Sequence, residues 1–139
     1  MKEKTMEVNA VTEELDTVSQ FVERELEKYG CPVKFQTQIA VAVEEIFVNI
    51  VHYAYDEGTV GKVKLTINIY EKKKEVVLRF QDKGIPFNPL AKANPDITAG
   101  IEEREIGGLG IFMVKKICDD VSYKREDGQN MFTVMKRWE

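Results

Sequence analysis

The sequence has little that would mark a secreted or a membrane protein. Its 139 residues include two cysteines, Cys31 and Cys118, too few for the disulfide framework that stabilises many small secreted domains. No apolar run approaches the roughly 20 residues that cross a bilayer, and the N-terminus has no apolar signal core. We therefore expect a cytoplasmic protein that does not act in a membrane.

Positive charge is not in excess either. The 20 Lys and Arg residues are outnumbered by 24 Asp and Glu, which gives a formal net charge of -4. Binding to bare nucleic acid usually needs a basic surface, so this balance argues against a direct nucleic-acid partner. Internal repeats and linker-like stretches are also lacking, and the length suits a single domain, 1–139, with one core.

Hydrophobic periodicity divides the chain into helices and strands. The predicted strands are 4–9, 63–70, 76–81, 121–125 and 131–137, and the predicted helices are about 13–30, 33–54 and 111–118. Thr12 is predicted to cap the first helix. Short turns between neighbouring strands favour antiparallel pairing. The pattern therefore predicts an α/β fold, an α+β two-layer sandwich with a mixed, mainly antiparallel sheet and helices packed on one face.

The long second helix carries a polar pair in apolar surroundings. Glu45 and Asn49 are four residues apart and so lie on the same side of the helix, flanked by Val41 and Val48. A solvated polar face is the plain interpretation, but the flanking valines indicate a partly covered position. A carboxylate there can accept a proton, and an amide oxygen can bind Mg²⁺, which takes phosphate oxygens as further ligands.

Asp82 and Gly84 follow the predicted strand 76–81 and begin a loop. In isolation, an Asp followed by a Gly most often forms a plain turn. The functional alternative is a carboxylate that accepts a hydrogen bond from the exocyclic amine of a nucleobase. Gly84 would then let the backbone approach the flat ring, where a Cβ would collide. Pro86 and Phe87 would help to wall the pocket.

Gly107, Gly108 and Gly110 lie directly before the third predicted helix. Successive backbone N–H groups at such a position can bind phosphate at the helix N-terminus. Two familiar phosphate motifs do not fit. No Gly-Lys-Ser/Thr follows, so this is not a P-loop, and the dinucleotide fingerprint requires a parallel βαβ unit that the predicted layout lacks.

The three motifs together resemble a known family. In order along the chain, Glu-x-x-x-Asn, Asp-x-Gly-x-Pro-Phe and Gly-Gly-Leu-Gly-Ile resemble the N, G1 and G2 boxes of the GHKL ATPase superfamily, which includes gyrase, Hsp90, MutL and histidine-kinase catalytic domains. The resemblance is greatest to the small stand-alone anti-sigma-factor serine/threonine kinases of bacteria and covers nearly the whole chain. It implies the Bergerat ATP-binding fold, with ATP and Mg²⁺ as cofactors.

The resemblance also implies roles for single residues. Asn49 matches the magnesium-binding Asn of the family, and Glu45 matches the general base. Asp82 matches the Asp that recognises the adenine amino group, with Gly84 beside the ring. The chain departs from the family pattern at Tyr53, which stands where the family often has His.

Further roles are implied for the C-terminal half. The loop that wraps the phosphates corresponds to Gly108, Leu109 and Gly110. Thr133 matches a Thr that supports the adenine through water. Arg104 is the candidate for an Arg that contacts the terminal phosphate, although it lies about two residues upstream of the family position. The segment 88–106 corresponds to an ATP lid.

The implied activity is phosphorylation of an anti-anti-sigma-type partner by a protein that also sequesters a sigma factor and forms a homodimer. The alternative is a non-catalytic module that senses ATP and switches partners. A histidine-kinase fragment is disfavoured, because the single histidine, His52, lies inside the second helix and no pair of dimerisation helices is present. We expect His52 to have a packing role.

Overall fold

Five strands and three α-helices follow one another in the computed structural model, which describes residues 2–56, 58–91 and 108–139. The strands are β1 (Lys2–Asn9), β2 (Lys62–Tyr70), β3 (Glu75–Asp82), β4 (Asp120–Glu126) and β5 (Gln129–Arg137). The helices are α1 (Leu15–Lys28), α2 (Val33–Tyr53) and α3 (Gly108–Ile117). Every predicted element is present, with bounds close to the predicted ones.

The strands form one sheet in the order β1-β2-β3-β5-β4. All four described pairings are antiparallel, which confirms the prediction of a mainly antiparallel sheet. The described residues contain no parallel pair, so the sheet is not mixed within them. Between β3 and β5 the chain passes through α3 and β4, so that β5 lies between β3 and β4. This order brings the end of β3 next to the start of β5.

The core lies between the helices and one face of the sheet. In β3, Val76, Leu78 and Phe80 are buried, whereas the alternating residues are partly or fully exposed. The predicted apolar stripe of α2 is buried throughout: Ile39, Ala42, Val43, Ile46, Phe47 and Ile50. Although α2 has 21 residues, no helix in the described ranges is both long and apolar enough to cross a membrane.

The start of α1 differs from the prediction. A 3-10 turn, Thr12–Glu14, precedes α1, and the residue before the helix is Glu14, at φ -90 and ψ -2, with no side-chain cap hydrogen bond. The prediction that Thr12 caps this helix is therefore wrong. The acidic residues that follow Thr12 continue the chain in a 3-10 turn, which is frequent at helix N-termini, and this moves the start of the α-helix beyond the reach of the Thr12 hydroxyl.

The turn between β4 and β5 sets the register of β5. Asp127 and Gly128 both have positive φ, 53 and 73, as a two-residue type I′ hairpin turn requires. Glu126 pairs with Gln129 across this turn. Because side chains alternate along a strand, Asn130 faces the helices together with Phe132.

We expect Gly128→Ala to lower the free energy of unfolding by about 1–2 kcal/mol, because an L side chain is strained in the left-handed region. An added Cβ would meet nothing within 4 Å, so the cost is conformational. Gly128→Asn is the matched control, since Asn enters this region more readily than Ala. Urea denaturation of both variants measures the difference, and equal losses would contradict this origin.

Candidate functional site

Asp82 is a buried carboxylate at the end of β3. Its side chain is only 5% exposed, and its Oδ1 atom accepts hydrogen bonds from the backbone N–H of Gly84 (2.9 Å) and from Nδ2 of Asn130 (2.9 Å). Burial raises the pKa of Asp82, while these two bonds and the charge of Arg125 oppose the rise. Within the described residues Oδ2 accepts no hydrogen bond, and it is the oxygen available to a ligand donor.

Asn130 organises the polar groups around Asp82. Its Nδ2 also donates to the carbonyl of Ile85 (2.8 Å), and its Oδ1 accepts from the backbone N–H of Phe87 (3.3 Å) and from the Tyr123 hydroxyl. Asn130 thereby joins β3, β4, β5 and the loop after Asp82. Asn130 is not among the residues that the motifs predict, although the Asp-Gly turn two residues earlier and the alternation of β5 are enough to assign it to the covered face.

Thr133 is not at this site. It pairs with Arg79 of β3 and Ser122 of β4, and so lies on the face of the sheet opposite to Asp82. The predicted role of Thr133 in supporting the adenine is corrected by this register. The physical reason is the two-residue period of a strand, in which odd and even positions of β5 point to opposite faces.

Gly84 contacts the end of α2 rather than open space. A Cβ on Gly84 would lie 2.0 Å from the carbonyl oxygen of Ala54, and the same oxygen accepts a hydrogen bond from Ile85 N–H (2.8 Å). The backbone after Asp82 is thus held directly against the last turn of α2. The close approach that requires a glycine here is to a helix end and not to the flat ring that the Asp-x-Gly motif predicts.

Asn49 and Asp82 line the same cavity. Asn49 is 3% exposed, and its Nδ2 donates to the Glu45 carbonyl one turn earlier (2.8 Å), so Oδ1 is the acceptor of the amide. Phe87 and Ile111 also line the cavity. Its free space is about 20 Å³, the room of about one water molecule. A ligand as large as a purine therefore requires the lining residues to move outward.

The Glu45 side chain lies against the start of α3. A Cβ on Gly110 would be 2.0 Å from Glu45 Oε2, so any other residue at position 110 would displace the Glu45 carboxylate. Partial burial raises the pKa of Glu45, and repulsion from Glu44 raises it further. The carboxylate is consequently poised to hold a proton more readily than an exposed Glu.

The glycine segment is helical where it is described. α3 begins at Gly108, whereas the predicted helix began at 111, so Gly108, Leu109 and Gly110 form the first turn. Their backbone N–H groups belong to the helix end that carries partial positive charge. Gly107 lies outside the described residues, as do Arg104 and most of the segment 88–106, whose proposed roles stay predictions.

An aromatic stack borders the cavity, formed by Tyr53 at the end of α2 and Phe87 in the loop after β3. Tyr53 stacks on Phe87, with ring centroids 5.0 Å apart and planes inclined by 20°. Tyr53 lies one turn beyond Asn49 on α2, so this stack borders the cavity that Asn49 lines. His52 is exposed, because this position of α2 faces away from the core, and the expected packing role is wrong apart from an edge contact with Tyr53.

The described residues offer little for a metal ion by themselves. They contain no group of three or more His, Cys, Asp or Glu side chains that could hold one. The buried amide oxygen of Asn49 suits a single ligand to Mg²⁺, which commonly keeps water and takes phosphate oxygens for its other positions. Asn49 could therefore supply one protein ligand to a magnesium ion that arrives with a phosphate ligand.

The chain belongs to the family of histidine kinase-like ATPase domains, whose family model matches residues 8–136. The resemblance inferred from the three motifs is confirmed by this match. The matched range runs from the end of β1 nearly to the end of β5, so the family assignment includes all three helices and the strands β2 to β5 almost in full.

Curated relatives include serine-protein kinases. The serine-protein kinase RsbW of Halalkalibacterium halodurans is 30% identical over 92 residues, which cover 65% of this chain and 56% of the relative. The serine/threonine-protein kinase BtrW of Bordetella bronchiseptica is 26% identical over 96 residues, 69% of this chain and 66% of the relative. The aligned part thus spans little more than half of the first of these relatives.

A solved structure shares the fold. The RsbU and RsbW domains of Rv1364c from Mycobacterium tuberculosis superpose with a TM-score of 0.70 at 14% identity, covering 99% of this chain and 32% of that one. The likeness shows the fold alone, and it confirms the expected Bergerat architecture.

We expect Asn130→Ala to lower the free energy of unfolding by about 2–4 kcal/mol, because it leaves several buried donors and acceptors without partners. Thr133→Ala, three residues along the same strand on the other face, is the matched control and should cost less than about 1 kcal/mol. Urea denaturation of both variants measures the contrast. Similar losses at the two positions would contradict the register described for β5.

We expect Glu45→Gln to change the pH dependence of stability. The pKa of Glu45 in the folded chain is higher than its ordinary value of 4.5, so the folded state binds this proton more tightly than the unfolded state does. The stability that results is present at low pH and is lost as the pH rises through the raised pKa. Wild type should therefore lose stability relative to Glu45→Gln between about pH 4 and about pH 7.

Denaturation at both pH values measures this difference. Glu44→Gln is the control, because it removes the repulsion that contributes to the shift while the burial of Glu45 remains. It should reduce the difference without abolishing it. An unchanged difference between wild type and Glu45→Gln across the two pH values would show that Glu45 titrates normally.

Proposed function

We propose that this protein is an ATP-binding regulatory serine/threonine-protein kinase of the anti-sigma-factor type, with ATP and Mg²⁺ as cofactors. The observation that carries the proposal is one cavity that brings Asp82 and Asn49 together, with Glu45 against the first turn of α3. The helix pair, the acid after β3 and the glycine turn of α3 represent all three sequence motifs. The names of the relatives support the assignment to protein kinases.

The nucleobase end of the site would be Asp82. Its Oδ1 is fully used by Gly84 and Asn130, so Oδ2 would accept a hydrogen bond from the adenine amino group. Asn130 supports this arrangement by fixing the carboxylate from the opposite strand. The Tyr53–Phe87 stack borders the cavity and would have to shift outward when a purine enters.

The phosphate end would lie between Asn49 and the first turn of α3. The N–H groups of that turn, at Gly108, Leu109 and Gly110, would face the phosphates, where the helix end favours negative charge. Asn49 Oδ1 would hold Mg²⁺, which supplies charge neutralisation when it is bound with the nucleotide. The position of Glu45 beside Gly110 places its carboxylate near these groups.

In phosphoryl transfer, Glu45 would accept the proton of a partner Ser or Thr hydroxyl. The hydroxyl oxygen would form a bond to the γ-phosphorus of ATP, the bond between that phosphorus and the β–γ bridging oxygen would break, and ADP would leave. Burial raises the pKa of Glu45, which makes it a stronger base than an exposed carboxylate.

The partner would be an anti-anti-sigma-type protein, with a sigma factor bound in an alternative complex. We further propose a single domain that acts as a homodimer in the cytoplasm, without direct contact to nucleic acid. The second candidate function is a non-catalytic ATP sensor that switches partners. This candidate is favoured by the position of Arg104, the residue expected to contact the terminal phosphate, which lies upstream of the family position. A misplaced Arg would lower the rate of phosphate transfer.

We expect Glu45→Ala to lower the rate of phosphate transfer by at least about 100-fold while ATP affinity changes little. The assay mixes each protein with Mg-ATP and a candidate anti-anti-sigma-type protein from the same genome, and detects the added phosphate by mass. Calorimetry measures ATP binding in parallel. Glu44→Ala, the exposed neighbour, is the matched control; it removes only the smaller contribution to the raised pKa of Glu45 and should lower the rate far less than Glu45→Ala.

Two results would distinguish the hypotheses. A wild type that binds ATP but adds no phosphate to its partner would contradict the kinase and support the sensor. A wild type that does not bind ATP, with the Asp82→Asn variant indistinguishable from it, would contradict both.

A further inference from the structure

The ladder between β2 and β3 ends in an unusual way. Its last pair is Val63 with Asp82. One position further, the carbonyl of Lys62 and the N–H of Lys83 would face each other as the next hydrogen bond. Instead, the hydroxyl of Tyr55 lies between them, accepting from Lys83 N–H (3.0 Å) and donating to the Lys62 carbonyl (2.7 Å).

The chain is shaped to receive the Tyr55 side chain. A Cβ on Gly61 would lie 2.0 Å from Cε1 of the Tyr55 ring, so the loop before β2 passes directly over the ring only because residue 61 is a glycine. The hydroxyl, at the far end of this partly buried ring, is thereby fixed in the opening between the two strands.

A second hydrogen bond, made by the residue next to Tyr55, holds the loop that follows β3. Directly before Tyr55, the Ala54 carbonyl accepts a hydrogen bond from Ile85 N–H (2.8 Å). The residues at the end of α2 therefore hold Lys83 and Ile85, on both sides of Gly84. The N–H of Gly84 in turn donates to Asp82 Oδ1, so a displacement at Lys83 is transmitted to the carboxylate.

We propose that Tyr55 is a positioning residue for nucleobase recognition. Its hydroxyl replaces the next hydrogen bond of the ladder, keeps β2 and β3 apart at this end, and so fixes the direction in which the chain leaves β3. That direction orients Asp82 Oδ2 toward an incoming amine. The inference rests on the proposed function, since it concerns the specificity of the same site.

Loss of the hydroxyl has a defined consequence. In Tyr55→Phe the ring remains, but Lys83 N–H and the Lys62 carbonyl lose their shared partner. The strands then either close into a direct hydrogen bond or leave both groups unpaired. In both cases the backbone next to Asp82 moves, and the carboxylate loses its alignment with the amino group.

The test compares two nucleotides that differ at this amino group. ATP carries the 6-amino group, and inosine triphosphate has an oxygen in its place. We expect Tyr55→Phe to weaken ATP binding roughly tenfold, the scale of one lost hydrogen bond, and to leave inosine triphosphate binding nearly unchanged. The ratio of the two affinities should therefore fall by the same factor.

Tyr70→Phe is the matched control, because it removes a hydroxyl from the opposite end of the β2–β3 hairpin. It should keep the wild-type ratio. A partly unfolded preparation lowers the binding-competent fraction for both nucleotides alike, so the ratio remains interpretable even if Tyr55→Phe is less stable.

The outcomes separate this inference from the proposed function. A wild type that prefers ATP, together with a Tyr55→Phe variant of unchanged ratio, would overturn the positioning role and leave the proposed function standing. A wild type that binds neither nucleotide would overturn the proposed function itself. An ATP-to-inosine-triphosphate affinity ratio that falls in Tyr55→Phe but not in Tyr70→Phe supports the inference.

Discussion

The arrangement around the site depends on one buried contact, the hydrogen bond from Asn130 to Asp82. A carboxylate that is 5% exposed loses most of its hydration, which is unfavourable unless polar partners replace the water. Asn130 supplies one such partner and at the same time binds the loop after Asp82. Because the two residues face each other across β3 and β5, the contact exists only in this register of the sheet.

Helix α2 connects the two ends of the site. Its middle carries Glu45 and Asn49, and its C-terminal end holds the chain that follows Asp82, through the Ala54 carbonyl and the Tyr55 hydroxyl. The two ends of the site, proposed to bind the nucleobase and the phosphates, are therefore attached to one helix whose apolar stripe is buried in the core. Side chains locked by packing and by hydrogen bonds keep such a site within a narrow range of geometries.

Much of this could be predicted from the sequence, because the signals are local. The buried stripe of α2 follows from helical periodicity, and the strands follow from alternation. Glu45 and Asn49 share a helix side whatever the rest of the chain does. Motif position predicts Thr133 and not Asn130, because it does not specify which face of β5 a residue occupies, and a shift of one residue exchanges the faces.

Local sequence patterns are enough to predict the elements, the polar pair on α2, the acid at the end of β3 and the glycines at α3, since each depends on neighbours a few residues away. Three contacts emerge only in the folded chain: Gly84 approaches Ala54, Gly110 approaches Glu45, and the Tyr55 hydroxyl enters the β2–β3 ladder. These contacts join segments distant in the chain. Their geometry is set by the packing of α2 against the sheet and α3, which no local pattern encodes.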